Sequence, residues 1–218
     1  VTDVASRSAT DADTISELRR AGVATVYEAR GRQGFVDADF IQLIPGSRAA
    51  GPARTVRCAQ NDNRGVHELV SRLQPGEIAV LTMPEPAPVA LIGDLLVTQL
   101  RERGAAGILV DASVRDAEEL RKMGVPVWTR WIRVRGAAKE TRGEVDADVQ
   151  IGGATIRTGD IVILDADGVA VVPADEAERA VELARAREQK EAASRAKYLD
   201  GQISYDLYGF RSEDEGNN

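Results

Sequence analysis

The residues of this chain best suited to chemistry are Gly93-Asp94-Leu95-Leu96 and, with twenty residues intervening after Asp94, Arg115-Asp116. Asp94 and Asp116 are hard oxygen ligands of the kind that hold Mg²⁺ or Mn²⁺, directly or through water. Arg115 can grip a carboxylate with two parallel hydrogen bonds. A helix predicted to start at Gly93 would present the amides of Leu95 and Leu96 at its positive end, where anions bind. Together these groups suit a metal-chelating, anionic ligand. A plainer reading uses the same residues: Asp94 as a helix cap and Arg115-Asp116 as a loop ion pair. Residue types alone leave both readings open.

Composition narrows the chemistry further. The chain has 218 residues, one His and one Cys. That excludes an intrachain disulfide, zinc sites built from cysteines or paired cysteines and histidines, and a three-histidine zinc centre within one subunit. A Ser-His-Asp triad would need His67 as its base. Hydrophobic residues make up 43% and charged residues 29%, a globular balance. The net charge of −7 argues against a nucleic-acid partner, which requires a basic surface. No apolar run approaches the ~18 residues of a membrane span, so no membrane association is expected. The first residues lack the basic-then-apolar pattern of a signal peptide, and lone Cys58 gives no sign of an oxidising compartment. A cytoplasmic location is therefore expected. Val1 in place of Met leaves open where the natural chain starts.

Weaker candidates have structural explanations. Gln60-Asn61-Asp62-Asn63 precedes a predicted helix and is read as its cap, although it could line a site. His67, inside that helix, is read as packed or at an interface. Asp165, Asp167 and Gly168 resemble part of a calcium loop ending at Glu176. The fifth position lacks an oxygen ligand and Gly168 is out of register, so a hairpin turn is expected. Lys122, Lys139, Lys190 and Lys197 lie in polar surroundings, which speaks against a buried Schiff-base lysine.

The elements that would position the two motifs follow from periodicity and punctuation. Residues 13–30 read as a helix that Gly22 can break in two. Short strands are expected at 41–44 and 54–58, around turns at Pro45-Gly46 and Gly51-Pro52. A helix is expected over 65–73 and a strand over 78–81. Pro84, Pro86 and Pro88 make Met83–Pro88 a rigid loop. A helix over 93–103, a strand over 107–111, a helix over 117–123 and a strand from Val125 to Trp128 complete a βαβ rhythm. In an open sheet of this kind, ligands bind beyond the carboxyl ends of the strands, where both motifs fall. Beyond residue 147 the pattern changes to hairpins, with strands at 147–151, 161–164 and 169–172. A long charged helix over 174–199 follows.

Taken with its surroundings, the Asp94…Arg115-Asp116 pattern resembles the class II pyruvate aldolases that cleave 4-hydroxy-4-methyl-2-oxoglutarate and 4-carboxy-4-hydroxy-2-oxoadipate. The regulator-of-ribonuclease-E-activity-like proteins share their fold. The likeness spans residues 14–211. It includes Val23–Gly34, Gly51–Val56, Asp62-Asn63 with His67, Val110–Asp116, Gly124–Trp128, Thr158-Gly159-Asp160, Asp165–Val172 and Asp206–Gly209. The resemblance implies an α/β fold, an αββα sandwich with a C-terminal helix, assembled as a homotrimer or hexamer with its active site at a subunit interface. It also implies a divalent metal, Mg²⁺ or Mn²⁺. Asp116 would hold the metal and Asp94 would act through water on it. Arg115 and the Gly93–Leu96 backbone would bind the pyruvoyl part of a 2-oxo acid. Glu28 and Glu191 of a neighbouring subunit would complete the outer metal shell, although their own surroundings suggest only surface charge.

The implied reaction is retro-aldol cleavage of a 4-hydroxy-2-oxo acid to pyruvate through a metal-stabilised enolate, with oxaloacetate decarboxylation as a side activity. The alternatives are a non-catalytic, ribonuclease-regulator-like binding protein, or a lyase or decarboxylase for another 2-oxo acid. The expected layout is an extension over 1–12, a catalytic domain over 13–173, a helix and tail over 174–211 packing on a neighbour, and a disordered tail over 212–218. One departure concerns Met83–Ile92. This loop usually carries polar and aromatic residues in these aldolases, and here it is Pro-rich and apolar.

Overall fold

A computed structural model describes residues 10–216. The βαβ rhythm expected between residues 78 and 128 is present. Strands β3 (Ile78–Thr82) and β5 (Gly107–Val114) are buried at every residue, as parallel strands covered on both faces must be. They pair in parallel with each other, and β5 pairs in parallel with β6 (Val127–Ile132). Helices α2 (Arg64–Arg72), α3 (Asp94–Glu102) and α4 (Ala117–Met123) cover one face. Side-chain alternation separates two cores. Ala79, Leu81, Ile108 and Val110 face these helices, whereas Ile78, Val80, Leu109 and Trp128 face the opposite way.

The opposite face is closed by the hairpin of β10 (Ile161–Asp165) and β11 (Gly168–Val172). Val162, Leu164, Val169 and Val171 point into the inner core, while Ile161, Ile163, Ala170 and Val172 point outward. That outer face is covered by α1 (Ala12–Ala29) and α5 (Ala177–Leu199). The sheet thus curls on itself and gives the expected αββα sandwich. In α5 only Ala177, Ala180, Val181 and Ala184 are buried, at i, i+3, i+4 and i+7. The rest of this helix extends over the surface.

Strand β2 (Ala49–Arg57) makes the curl possible. Its first half pairs antiparallel with β10, and its second half pairs in parallel with β3. Gly51-Pro52, expected as a turn, therefore lies inside a strand. A Cβ on Gly51 would sit 2.2 Å from the Gly76 carbonyl oxygen, so glycine here permits close approach and makes no turn. Gly22 behaves as expected: its φ of 82° and ψ of 171° break α1. The kink is held from the hairpin turn, where Asp165 Oδ2 accepts the Val23 N–H at 2.9 Å. Asp165, Asp167 and Gly168 form that turn as read from sequence, with Asp165 Oδ1 accepting the Asp167 N–H.

Two further differences bear on the site. Strand β4 (Ala90–Ile92), not expected, pairs with the end of β5. Met83, Val89, Leu91 and Ile92 are buried in the helix-side core, so the apolar character of this segment reflects packing. Strand β5 also runs three residues further than expected, so Arg115 follows it directly. The remaining strands are short. Strand β1 (Ile41–Gln42) edges the sheet beside β6, β7 (Glu144–Val145) pairs with β2, and β8 (Val149–Ile151) pairs with β9 (Ala154–Ile156). Two short helices, α6 (Ser204–Leu207) and α7 (Phe210–Gly216), end the described chain. Helix α7 occupies much of the stretch expected as a disordered tail. Residues 1–9 of the expected extension and 217–218 of that tail lie outside the described residues.

Candidate active site

The two motifs meet at the carboxyl end of β5. Gly93 is the N-cap of α3 and Asp94 is its first residue. Asp116 is the N-cap of α4 and takes a left-handed backbone, with φ 57° and ψ 38°, which Asp tolerates better than most residues. This turn sends its carboxylate back toward α3, where Oδ2 accepts the Asp94 N–H at 3.2 Å. Arg115 Nε lies 3.5 Å from the same oxygen. A Cβ on Gly93 would stand 2.4 Å from Asp116 Oδ2 and 3.0 Å from Arg115 Nε. Only glycine leaves room for these groups to converge.

Asp94 Oδ1 accepts the Leu95 N–H at 2.8 Å, so Asp94 does act as a local cap and engages one of the two amides expected to bind a ligand. The Leu96 amide remains among the first-turn donors that a helix cannot satisfy internally. Leu95 is 73% exposed and Leu96 is buried. A cleft of about 200 Å³ opens over this turn and is lined by Gly93–Leu96 and Arg115. Its other walls come from Asn63 and His67 of the α2 region and from Ala137 and Lys139 of a loop after β6.

These wall residues bear on three expectations. His67 is exposed on the cleft and not packed. Lys139 borders the cleft, although its sequence surroundings are those of a surface residue. The 60–63 segment both caps α2 and lines the site. Asp62 Oδ1 accepts the Arg64 N–H at 2.8 Å, while Asn63 donates from Nδ2 to the Leu91 carbonyl of β4 at 2.8 Å. Asn63 and His67, four residues apart across the start of α2, carry a helical-spacing signal toward one face. Lys139 lies in a loop with no periodicity to reveal it.

Glu28 and Glu191 are not near this turn within one chain. They stand together on the α1–α5 layer, bridged by Arg187, which lies 3.8 Å from Glu28 Oε2 and 2.8 Å from Glu191 Oε1. The helix-side layer that carries Asp94 and Asp116 lies across the sandwich. Among the described residues no three His, Cys, Asp or Glu side chains cluster as a metal cage. Asp94 and Asp116 supply an oxygen-only donor pair beside a turn that a Cβ would fill, which fits a hard divalent cation sharing its other positions with water and substrate. Cys58 offers no nucleophile: burial pushes its thiol up to about 12.

Comparison with known proteins agrees with this fold. Residues 12–171 match the family model described as RraA-like, Aldolase/RraA. The chain belongs to this RraA-like family. It is 25% identical over 201 residues to a Halalkalibacterium halodurans protein named "Putative 4-hydroxy-4-methyl-2-oxoglutarate aldolase", covering 92% of this chain and 96% of that one. Streptomyces coelicolor RraAS2, described as an unusual member of the RNase ES inhibitor RraA protein family, has a similar structure. The TM-score is 0.75 at 30% identity, over 86% of this chain and 98% of that one. A Pseudomonas syringae pv. tomato protein shares the fold with a TM-score of 0.81 at 23% identity, covering 93% and 96% of the two chains. No helix among the described residues is long and apolar enough to cross a membrane.

Proposed function

We propose that the chain is a divalent-metal-dependent lyase that cleaves a 4-hydroxy-2-oxo acid by retro-aldol reaction and releases pyruvate. The observation that carries this reading is the convergence of Asp94, Arg115 and Asp116 on the glycine turn at Gly93. Asp116 would hold Mg²⁺ or Mn²⁺, and Asp94 would act through water on the ion. When bound, the ion supplies Lewis-acid polarisation of the 2-oxo group.

The residues of the chain account for the other requirements. The free first-turn amide of α3 and the guanidinium of Arg115 bind the pyruvoyl carboxylate and 2-oxo oxygen. Arg115 then offsets the negative charge that grows on that oxygen. A water held by the Asp94 carboxylate takes the proton of the C4 hydroxyl. The C3–C4 bond breaks, C4 leaves as a carbonyl, and the electron pair passes into the 2-oxo group to give the enolate of pyruvate. Water protonates that enolate at C3. Loss of CO₂ from oxaloacetate leaves the same enolate, so oxaloacetate decarboxylation is expected as a side activity. Glu28 and Glu191 enter from a neighbouring subunit of a trimer or hexamer.

The test is pyruvate release from 4-hydroxy-4-methyl-2-oxoglutarate and 4-carboxy-4-hydroxy-2-oxoadipate, read with coupled lactate dehydrogenase. Chelation with EDTA should abolish it and Mg²⁺ or Mn²⁺ should restore it; undiminished turnover in chelator rules out the metal-dependent route. The likeness to the RNase ES inhibitor family favours a second reading, a ribonuclease-binding protein. Tight capture of a ribonuclease by a chain that binds no metal in calorimetry would select it. Release from a different 2-oxo acid alone would keep the enzyme and change its substrate.

A further inference from the structure

Strand β5 carries a buried ion pair that the proposed reaction does not use. The Asp111 side chain is 4% exposed, and its Oδ1 accepts from Arg130 Nε of β6 at 2.8 Å. The Arg130 guanidinium lies over the rings of Phe40 and Trp131, 5.6 and 5.8 Å from their centroids. Phe40 packs against the inner core, across the sheet from α3 and α4, and neither member of the ion pair lines the cleft. The pair sits at an irregularity of the sheet. Val110 of β5 pairs with Thr129 of β6, but the next paired residues are Ser113 and Trp131, so three steps along β5 match two along β6. This is a bulge at Asp111-Ala112, with one extra residue in β5. Thr129 is fully buried and closes the bulge with a hydroxyl 2.9 Å from the Ala112 carbonyl oxygen and 3.0 Å from that of Trp131.

The bulge decides what stands beside Gly93. Beyond it, Ser113 and Val114 pair with Ala90 and Ile92 of β4, and the Arg115 N–H donates to the Ile92 carbonyl at 3.1 Å. The residue after Ile92 is Gly93, the turn on which Arg115 and Asp116 converge. A one-residue slip moves every side chain of a strand to the other face. Loss of the extra residue would shift Ser113–Asp116 by one place against β4, and Arg115 would no longer meet Gly93. A buried ion pair gains little stability over a well-packed apolar pair, and its best-attested use is to fix register. Burial pushes the Asp111 carboxyl up, and the Arg130 guanidinium opposes that shift. We propose that Asp111 and Arg130 are positioning residues, whose ion pair fixes the β5 bulge and so sets Arg115 and Asp116 on the Gly93 turn from the other face of the sheet. The inference rests on the reading of that turn as the anion site of a lyase and adds to it two residues that touch no ligand.

Hydrogen exchange on the full-length protein reads this geometry without any ligand. The amides of Asp94, Arg115 and Arg133 donate to Asp116 Oδ2 and to the carbonyls of Ile92 and Val114. In Asp111→Ala and in Arg130→Met these amides should exchange about tenfold faster, while those of the β10–β11 hairpin keep their wild-type rates. Calorimetry in Mg²⁺ with oxalate, a planar dianion that resembles the enolate of pyruvate, then tests the coupling. Each variant should weaken oxalate about tenfold in the wild-type background and less than about twofold in Arg115→Ala, because residues that act through one group are not additive. Arg130→Lys keeps the charge and should retain most of the affinity. A merely structural role would weaken oxalate equally in both backgrounds and speed exchange throughout the sheet; either result overturns the proposal. Should Asp111→Ala not fold, Asp111→Asn keeps an acceptor for Arg130 and loses the charge. It should show the same local exchange pattern at smaller size, and wild-type exchange in it also overturns the proposal. Pyruvate release is scored separately: local exchange and coupled oxalate binding without pyruvate release keep the positioning pair and remove the lyase reading.

Discussion

Arg115 and Asp116 act on one small volume beside Gly93, and each has a distinct cost of removal. Arg115→Ala deletes the guanidinium that stands against the glycine turn. Asp116→Ala deletes the oxygen that receives the Asp94 amide. Each should lower pyruvate release by roughly 100-fold or more, the scale of losing a preorganised electrostatic group, while the unfolding midpoint in urea stays near wild type. Gly93→Ala should fail for a steric reason, because its methyl would collide with Asp116 Oδ2. Its activity should fall with the fold retained by circular dichroism. Near wild-type rates in Arg115→Ala or Asp116→Ala would move the chemistry elsewhere. Asp62 carries a pH signature. Burial works against its charge, but the backbone N–H groups of Thr141, Arg64 and Glu140 outweigh it and hold the carboxyl below its ordinary value. A lowered carboxyl stabilises the fold fully above its unfolded value of about 4 and loses that contribution as pH falls through the folded value. Urea titrations at pH 7 and pH 3 should therefore show a larger acid-induced loss in the wild type than in Asp62→Asn. Equal losses would show that Asp62 does not contribute.

Among the elements, α1 shows how a broken helix can serve the fold. Its two halves are joined at Gly22 in a conformation that L side chains rarely adopt, and a Cβ there would lie 2.7 Å from Asp165 Oδ2. The Val23 N–H begins the second half and is satisfied by that carboxylate. Asp165 also presents its carbonyl to the buried Trp128 indole N–H at 2.9 Å, so the hairpin turn, the helix kink and β6 share one residue. Gly22→Ala should destabilise by about 1–3 kcal/mol in urea unfolding, from backbone strain plus the lost capping geometry. A change below about 0.5 kcal/mol would mean that α1 straightens without penalty. The break at Gly22 was legible because glycine inside a helical pattern is a known interruption. The partner that makes the break useful lies 143 positions away in sequence, at Asp165, and no local signal points to it.

Across the whole molecule, the sandwich keeps two halves of the proposed site apart. Asp94 and Asp116 belong to the layer of α3 and α4, while Glu28 and Glu191 sit with Arg187 on the layer of α1 and α5. If a neighbouring copy supplies the second pair, the two sets need not come from the same polypeptide. Mixing inactive Asp116→Ala subunits with inactive Glu191→Ala subunits, followed by dissociation and reassembly, should restore a fraction of pyruvate release. Continued inactivity in mixed assemblies confirmed by mass spectrometry would place Glu191 outside the site. Exposed apolar residues in the C-terminal region, among them Leu199, Ile203 and Tyr208, lie on the segment expected to pack against a neighbour.

Local sequence was enough for most of the order of helices and strands and for singling out Asp94, Arg115 and Asp116, because each depends on residue type and short-range spacing. It also marked 165–168 as a turn and Gly22 as a break. It misread Gly51-Pro52, because a glycine that permits close approach and a glycine that turns the chain look alike until the sheet is folded. It took the apolar run at Val89–Ile92 for a loop, because a three-residue strand becomes recognisable through its pairing with β5. It did not find Lys139, whose place at the cleft is set by hydrogen bonds to Asp62 from 78 and 79 residues away. Those positions depend on long-range backbone pairing and on one buried carboxylate, neither of which has a period or a spacing to read along the chain.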